Sequence, residues 1–323
     1  MSRDEVLVND WHVVARSEDL GRDQVLRASL LSEDLVLWRC DGEPRVWQDL
    51  CAHRGARLSL GRVQDARLVC PYHGWEYNGF GQCVRIPAHP KQIPPARAKA
   101  CTYRVCERYG VVWASLGRPE GEPSAIPEWE NDRFRGVLCG PYVYQASGVR
   151  AVENFLDLAH FPFVHSGMLG DAHQTEMSDY EVEWSADGLI ARDIEVWQPY
   201  PDPTGQPKYA RYTYQVFRPL TAYISKNTGG EDRYCTFMAV TPASEFRSVA
   251  WVWVMLNYGA DIPAEKIRER TDRVWGQDIP IVESQRPERL PLDLQAELHL
   301  RSDRLAVEYR RWLKQLGVNL GTR

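Results

Sequence analysis

Residues 51–75, CAHRGARLSLGRVQDARLVCPYHGW, carry two mirrored pairs of metal-binding side chains, Cys51-x-His53 and Cys70-x-x-His73. Ligands two or three apart at a tight turn can face a metal, and two such loops can clamp a centre between them. A Cys₂His₂ set suits a structural zinc ion. It equally suits a [2Fe–2S] cluster in which each loop gives one Cys and one His to different irons. Replacing two thiolates by imidazoles removes negative charge and raises the reduction potential, making an electron relay. Cys40, Cys83, Cys101, Cys106, Cys139 and Cys235 lack this patterning. Cys101 and Cys106 are expected as small core hydrophobes. His12, His89, His173 and His299 are expected to be structural or surface residues.

A second stretch, AVENFLDLAHFPFVHSGMLGD (151–171), suggests a different metal chemistry. Asp157 and His160 are three apart and would share a helical face. His165 lies five beyond His160, but Pro162 is expected to break the helix near Phe161 and carry His165 back toward His160. Two converging His with positions left open suit a 2-His-1-carboxylate iron centre. Spacing alone does not select the carboxylate from Asp261, Asp272, Asp278 and Glu283.

The elements that must hold these groups fall into two parts. VLRASLL (25–31), LVLWRC (35–40), RVWQDLC (45–51) and YGVVWASL (109–116) read as strands, with Asp41-Gly42 as a hairpin turn. The run GRPEGEPSAIPEWEND (117–132) is the linker. A helix is predicted over 151–161, then long strand-like stretches: YEVEWSADGLIARDIEVW, YARYTYQVF, RYCTFMAVTP and SVAWVWVML. Alternation in the last puts Trp251, Trp253 and Met255 on one face, as candidate pocket walls. PAEKIRERTDRVW and SDRLAVEYRRWLKQLGV read as helices, the latter with Asp303 near its start and Gly317 at its end.

A net charge of -5, with both signs interspersed, excludes a basic nucleic-acid face. No run of about 18 apolar residues is present, so no membrane span is expected. The N-terminal residues show no apolar leader and the cysteines no secreted framework, so the protein is expected in the cytoplasm with reduced or metal-bound thiols.

The loops with their flanks, Arg54-Gly55 and Pro71-Tyr72-His73-Gly74-Trp75, resemble the Rieske [2Fe–2S] signature. Asn154-x-x-Asp157-x-x-His160-x₄-His165 resembles the catalytic segment of Rieske non-haem iron oxygenases. DWHVVARSEDL at the start and GQDIPIVESQRP (276–287) extend the likeness over nearly the whole chain. The resemblance implies an α+β architecture: an all-β Rieske domain over 1–118, then over 119–323 a helix-grip (START-like) catalytic domain with an antiparallel sheet. It implies a Rieske cluster on Cys51, His53, Cys70 and His73, and a mononuclear Fe(II) on His160 and His165. It points to Asp278 as the third ligand, with Glu283 the fallback. Asp157 would be the catalytic link, joining His73 of one subunit to His160 of the next in a head-to-tail homotrimer.

The chain is shorter than ring-dihydroxylating α subunits and resembles the homotrimeric monooxygenase and demethylase branch. Within it, HFPFVHSGMLGD and VEYRRWLKQLGV are similar to the toluenesulfonate methyl-monooxygenase type and to hydroxylases of saxitoxin-like alkaloids. The implied reaction is oxygenation of a methyl or ring C–H bond of a small molecule by O₂, with dealkylation as one outcome. Electrons would come from NAD(P)H through a ferredoxin or flavin/[2Fe–2S] reductase, steered by Arg54, Arg57, Arg62 and Arg67. The alternatives are a Rieske electron carrier or redox sensor without oxygenase activity, and a zinc-stapled ligand-binding module.

Overall fold

The computed structural model describes residues 4–185, 188–203 and 205–323. It divides into two compact units, Met1–Pro123 and Ser124–Arg323.

The first unit opens with a short helix, α1 (Glu5–Val8), has a 3₁₀ turn at Leu58–Leu60, and is built on β-strands. Its strands are β1 (His12–Arg16), β2 (Val25–Leu30), β3 (Glu33–Cys40), β4 (Glu43–Gln48), β5 (Arg62–Gln64), β6 (Arg67–Val69), β7 (Glu76–Tyr77), β8 (Cys83–Arg85), β9 (Arg104–Arg108) and β10 (Val111–Ser115). They form three antiparallel sheets, ordered β1-β10-β9, β2-β3-β4 and β5-β6-β7-β8. Beneath the metal-ligand loops lies a cluster that includes Trp38, Trp47, Leu58, Leu68 and Tyr77. Each such buried side chain stabilises the fold by about 1.5–3 kcal/mol, so the loops stand on a rigid floor. Trp38 and Trp47 meet edge-to-face at 5.0 Å. His12 is structural, its Nε2 lying 2.7 Å from the Leu7 carbonyl. Cys101 is exposed rather than in the core as expected.

The second unit is built on one seven-stranded antiparallel sheet. Its strands are β11 (Arg135–Tyr144), β12 (Val182–Ser185), β13 (Gly188–Gln198), β14 (Lys208–Arg218), β15 (Thr221–Gly229), β16 (Asp232–Ser244) and β17 (Arg247–Leu256), in the order β11-β17-β16-β15-β14-β13-β12. The stretch 180–197, read as one strand-like run, is in fact two antiparallel strands, β12 and β13, with Ser185 opposite Gly188. Its residues 186 and 187 lie outside the described part.

Among the described residues, four α-helices complete the unit, α2 (Gly148–Leu156), α3 (Phe161–Val164), α4 (Ala264–Ser284) and α5 (Arg304–Leu316), with a 3₁₀ turn at Arg301–Asp303 ahead of the last. Helix α4 buries Ile267, Thr271, Trp275, Asp278 and Val282, steps of three and four that make one face. Helix α5 ends at Gly317, in the left-handed conformation at φ +80°. A buried network joins α2 to α5: Arg150 pairs with Glu153 and Glu297, and Arg310 pairs with the same two carboxylates. Paired in this way, the charges fix the helices' register rather than add much stability. The expected all-β first domain and α+β second domain with an antiparallel sheet are thus both present.

Candidate metal centre

The two loops of the first unit close in the same way. Gly55 N–H donates to the Cys51 carbonyl at 3.0 Å and Cys51 N–H to Ala56 at 2.8 Å; Gly74 N–H donates to Cys70 at 3.1 Å and Cys70 N–H to Trp75 at 2.9 Å. Both glycines sit at positive φ, +70° and +67°, where a side chain would strain the turn. Cys51 and Cys70 are buried, while His73 is exposed and His53 half-buried. The sulfurs therefore lie inside and the imidazoles toward water. Their rings are 4.5 Å apart, and Trp75 stacks on His53 at 4.5 Å, nearly parallel.

Three observations test the fit to a metal group. First, His53 Nδ1 is buried without a hydrogen-bond partner, as an unfilled ligand atom is. Second, hydrogen bonding between the two thiols draws the Cys51 thiol down and pushes the Cys70 thiol up, and the Tyr77 hydroxyl lies 3.1 Å from the Cys51 sulfur, so the pair readily gives up a proton. A thiolate is the form that ligates a metal. Third, four donors on one zinc ion would lie within about 4.6 Å of one another, twice a Zn–S bond. Among the described residues, only His160, His165 and Asp278 gather three such donors within 4.8 Å. The Cys₂His₂ set, with both thiols inside, both imidazoles toward water and one of each from either loop, fits a two-iron cluster.

The second centre is not assembled as the helical spacing predicted. Helix α2 ends at Leu156, and Asp157 is already extended at its C-cap. Pro162 opens the short α3 instead of breaking a longer helix, since its fixed φ suits a first turn. Asp157 and His160 still meet, Oδ2 to Nδ1 at 3.1 Å, while Asp157 Oδ1 accepts the Ala159 N–H at 2.8 Å. His165 follows α3 and is fully buried.

The two Nε2 atoms lie 3.2 Å apart. Asp278 Oδ1, from α4, stands 3.4 Å from His160 and 3.1 Å from His165 and has no hydrogen-bond partner. Three donor atoms from three segments thus face one point, the shape of a 2-His-1-carboxylate site. Burial pulls the His160 imidazole down, but Asp157 and Asp278 outweigh it and hold it at about 9. Burial pushes the Asp278 carboxyl up, and the two imidazoles more than reverse this.

The other candidate carboxylates are engaged elsewhere. Glu283 accepts the Gln145 N–H at 2.7 Å, Asp272 accepts the Tyr142 hydroxyl at 2.6 Å, and Asp261 is exposed. One residue was not foreseen: Gln277 Oε1 lies 2.9 Å from His165 Nδ1.

A cavity opens beside the three donors. Tyr212, Ile224, Thr236, Met238 and Val254 line it from the sheet, and Phe155, Phe161 and Trp275 from the helical side. Trp251, Trp253 and Met255, expected as walls, do not line it; Val254, on the opposite face of β17, does.

Comparison with known proteins agrees with this anatomy. Residues 10–108 match the Rieske [2Fe-2S] domain, and residues 144–319 match the vanillate O-demethylase oxygenase C-terminal domain. The chain is 31% identical over 325 residues to methylxanthine N1-demethylase NdmA of Pseudomonas putida, covering 97% of this chain and 90% of that protein. Superposed on NdmA with caffeine it gives a TM-score of 0.85 at 28% identity, covering 97% and 91% of the two chains. A putative toluene-4-sulfonate monooxygenase system iron-sulfur subunit, TsaM2 of Comamonas testosteroni, is 38% identical over 174 residues, 50% of this chain and 47% of that protein. Oxidoreductase NdmD of P. putida is 43% identical over 121 residues, 37% of this chain and 21% of that protein. With both family matches falling on the segments that carry the two sets of donors, the chain belongs to the Rieske oxygenases, a Rieske [2Fe–2S] domain joined to an oxygenase C-terminal domain of the vanillate O-demethylase type.

Proposed function

We propose that the chain oxygenates a methyl or ring C–H bond of a small molecule held in the cavity of the second unit, with demethylation following where the methyl is carried on nitrogen or oxygen. The observation that carries this reading is the convergence of His160, His165 and Asp278 at the wall of an apolar cavity. These three would hold iron, and Cys51, His53, Cys70 and His73 the cluster. Iron there supplies a centre for dioxygen activation beside bound substrate, and the cluster supplies the electrons.

The chain's own part is positioning. Asp157 and Gln277 occupy the two Nδ1 atoms, which leaves both Nε2 atoms facing the centre. Phe161 and Trp275 add apolar wall to the chamber, and low-dielectric walls strengthen electrostatic interactions inside it. The likeness to a methylxanthine N1-demethylase and to a toluenesulfonate monooxygenase subunit supports a methyl group as the carbon attacked.

The remaining parts of the proposal concern assembly. Asp157 keeps a third of its side chain exposed beside His160, which supports its role as the link to the partner subunit's cluster in a homotrimer. The boundary between cluster-bearing and catalytic domains is assigned to residues 118–124. Electrons are assigned to a ferredoxin or flavin/[2Fe–2S] reductase fed by NAD(P)H, which the likeness to NdmD supports. Among the described residues the eight cysteines form no disulfide, and the six outside the proposed cluster set support a reducing compartment, the cytoplasm.

Iron and acid-labile sulfide per chain, after anaerobic reconstitution with Fe(II), test the reading. Wild type should hold about three irons and two sulfides, and His160→Ala about two and two. Two irons in both proteins would overturn it in favour of an electron carrier.

A further inference from the structure

The cavity has a charged end that the iron chemistry does not use. Lys226, on β15, is buried, yet it lines the cavity. Its ammonium donates to the Pro201 carbonyl and lies over the rings of Tyr212 and Tyr234, at 5.7 and 4.8 Å from their centroids. Arg270, on α4, lines the same space. Its Nη2 donates to the Tyr200 carbonyl at 2.7 Å, but its Nη1 is buried with no hydrogen-bond partner.

The charges around these two groups do not balance. Lys226 feels Arg270 and Lys208 as repulsive and Asp202 as attractive, and with burial leading they press its ammonium well below the usual lysine range. Asp202 is itself paired with Lys208 at 3.3 Å. Among the described residues, the only carboxylate on the cavity wall is Asp278, at the metal-donor end. A buried amine beside a half-buried guanidinium with an unpartnered Nη1 is costly to keep charged, and the cost is removed when an anion binds against both, which also restores the Lys226 ammonium.

The separation of the two ends is also visible. From Lys226 the wall runs through Tyr212, then Phe161 at 6.0 Å between ring centroids, then His165 at 5.8 Å. An aromatic surface therefore lies between the cations and the three donors.

We propose that this cavity selects aromatic oxyacid anions: Lys226 and Arg270 hold the acid group, Tyr212 and Phe161 hold the ring, and the opposite end of the molecule reaches His160, His165 and Asp278. The proposal rests on the reading of this cavity as the substrate chamber and names its substrate class. Lys226 and Arg270 are then specificity-determining residues, since a neutral molecule of the same shape leaves both cations unpaired.

Equilibrium binding to the holoprotein tests this without turnover. The oxidised protein, with no reductase present, is titrated calorimetrically with 4-methoxybenzoate and 4-methoxybenzenesulfonate and with their uncharged amides. The anions should bind about tenfold or more tightly than the amides, and the stronger of the two identifies the acid group preferred. Lys226→Met and Arg270→Leu should each weaken anion binding about tenfold and leave the amides unaffected. Lys226→Arg and Arg270→Lys should keep the preference, which separates lost charge from lost folding. Equal binding of anions and amides, no binding of either, or unchanged anion affinity in the charge-removing variants would overturn the proposal. A bound anion with no oxygen uptake on reduction would instead count against the oxygenase reading and leave the charge preference standing.

Discussion

Gln277 holds His165 by its Nδ1 at 2.9 Å, from the residue directly before Asp278 on α4. One turn of one helix thus carries a candidate ligand and the group that orients another. An amide oxygen accepting the Nδ1 proton fixes the tautomer in which Nε2 is free for metal. Gln277→Leu should therefore lower Fe(II) affinity about 10- to 100-fold, while Gln277→Glu, which keeps the acceptor, should retain it. Anaerobic Fe(II) titration, with sulfide content as the control for an intact cluster, reads this out. Equal affinity in the Leu variant would remove Gln277 from the site.

Asp157 does the corresponding work at His160, but with a full charge and a partly exposed side chain. Asp157→Asn keeps a group of the same size and removes the charge. It is expected to leave iron and sulfide content near wild type and to slow reoxidation of the reduced cluster by O₂ at least about tenfold. Rapid-mixing spectroscopy of the cluster measures that rate. Wild-type reoxidation in the Asn variant would show that Asp157 is only a turn residue, tied to Ala159.

What the sequence made legible follows from how local each signal is. The loops at 51–56 and 70–75 close within five residues, so their Cys, His and Gly spacing carries nearly all of their geometry. Gly317 likewise marks the end of α5 directly. The break after Leu156 was harder, because Asp157 to His160 also fits a helical turn and only the extended backbone at Asp157 separates the two. The wrong face of β17 has a plain cause: from Ala250 to Leu256 every residue is buried, so alternation gives no inside or outside. Gln277 had no local signal, since its partner is 112 residues away. Asp278 had one, as the acid on the buried face formed by Ile267, Thr271, Trp275 and Val282.

The arginines near the cluster are not equivalent. Arg67 is paired with Glu76 at 2.8 Å, Glu76 also pairs with Arg85, and Arg57 pairs with Asp34. Arg62 meets only the Gln64 amide at 3.3 Å among the described contacts, so its charge is less compensated. Arg62→Glu should slow cluster reduction by a reductase about 2- to 10-fold at low salt, with the difference vanishing as salt screens it. Arg67→Glu should lower stability as well, because it places a second carboxylate against Glu76. Salt-dependent reduction rates, with thermal melts alongside, separate the two. Identical salt slopes for Arg62→Glu and wild type would sink the steering idea.

Gly170 offers a test of how the fold holds the iron-side histidines. A Cβ there would sit 2.4 Å from Pro162 N and 2.6 Å from the Phe161 carbonyl carbon, both backbone atoms that cannot rotate away. The loop after His165 is thus pressed onto the start of α3, between the two histidines in sequence. Gly170→Ala must push these segments apart, at a cost of about 1–3 kcal/mol, the usual range for overpacking. Because the displaced segment lies between His160 and His165, Fe(II) affinity should fall with stability, while the cluster in the other unit stays loaded. Denaturant melts and iron-to-sulfide ratios on the same samples check both. A destabilised variant with full iron would mean that the histidines are held by α4, through Gln277 and Asp278, rather than by their own loop.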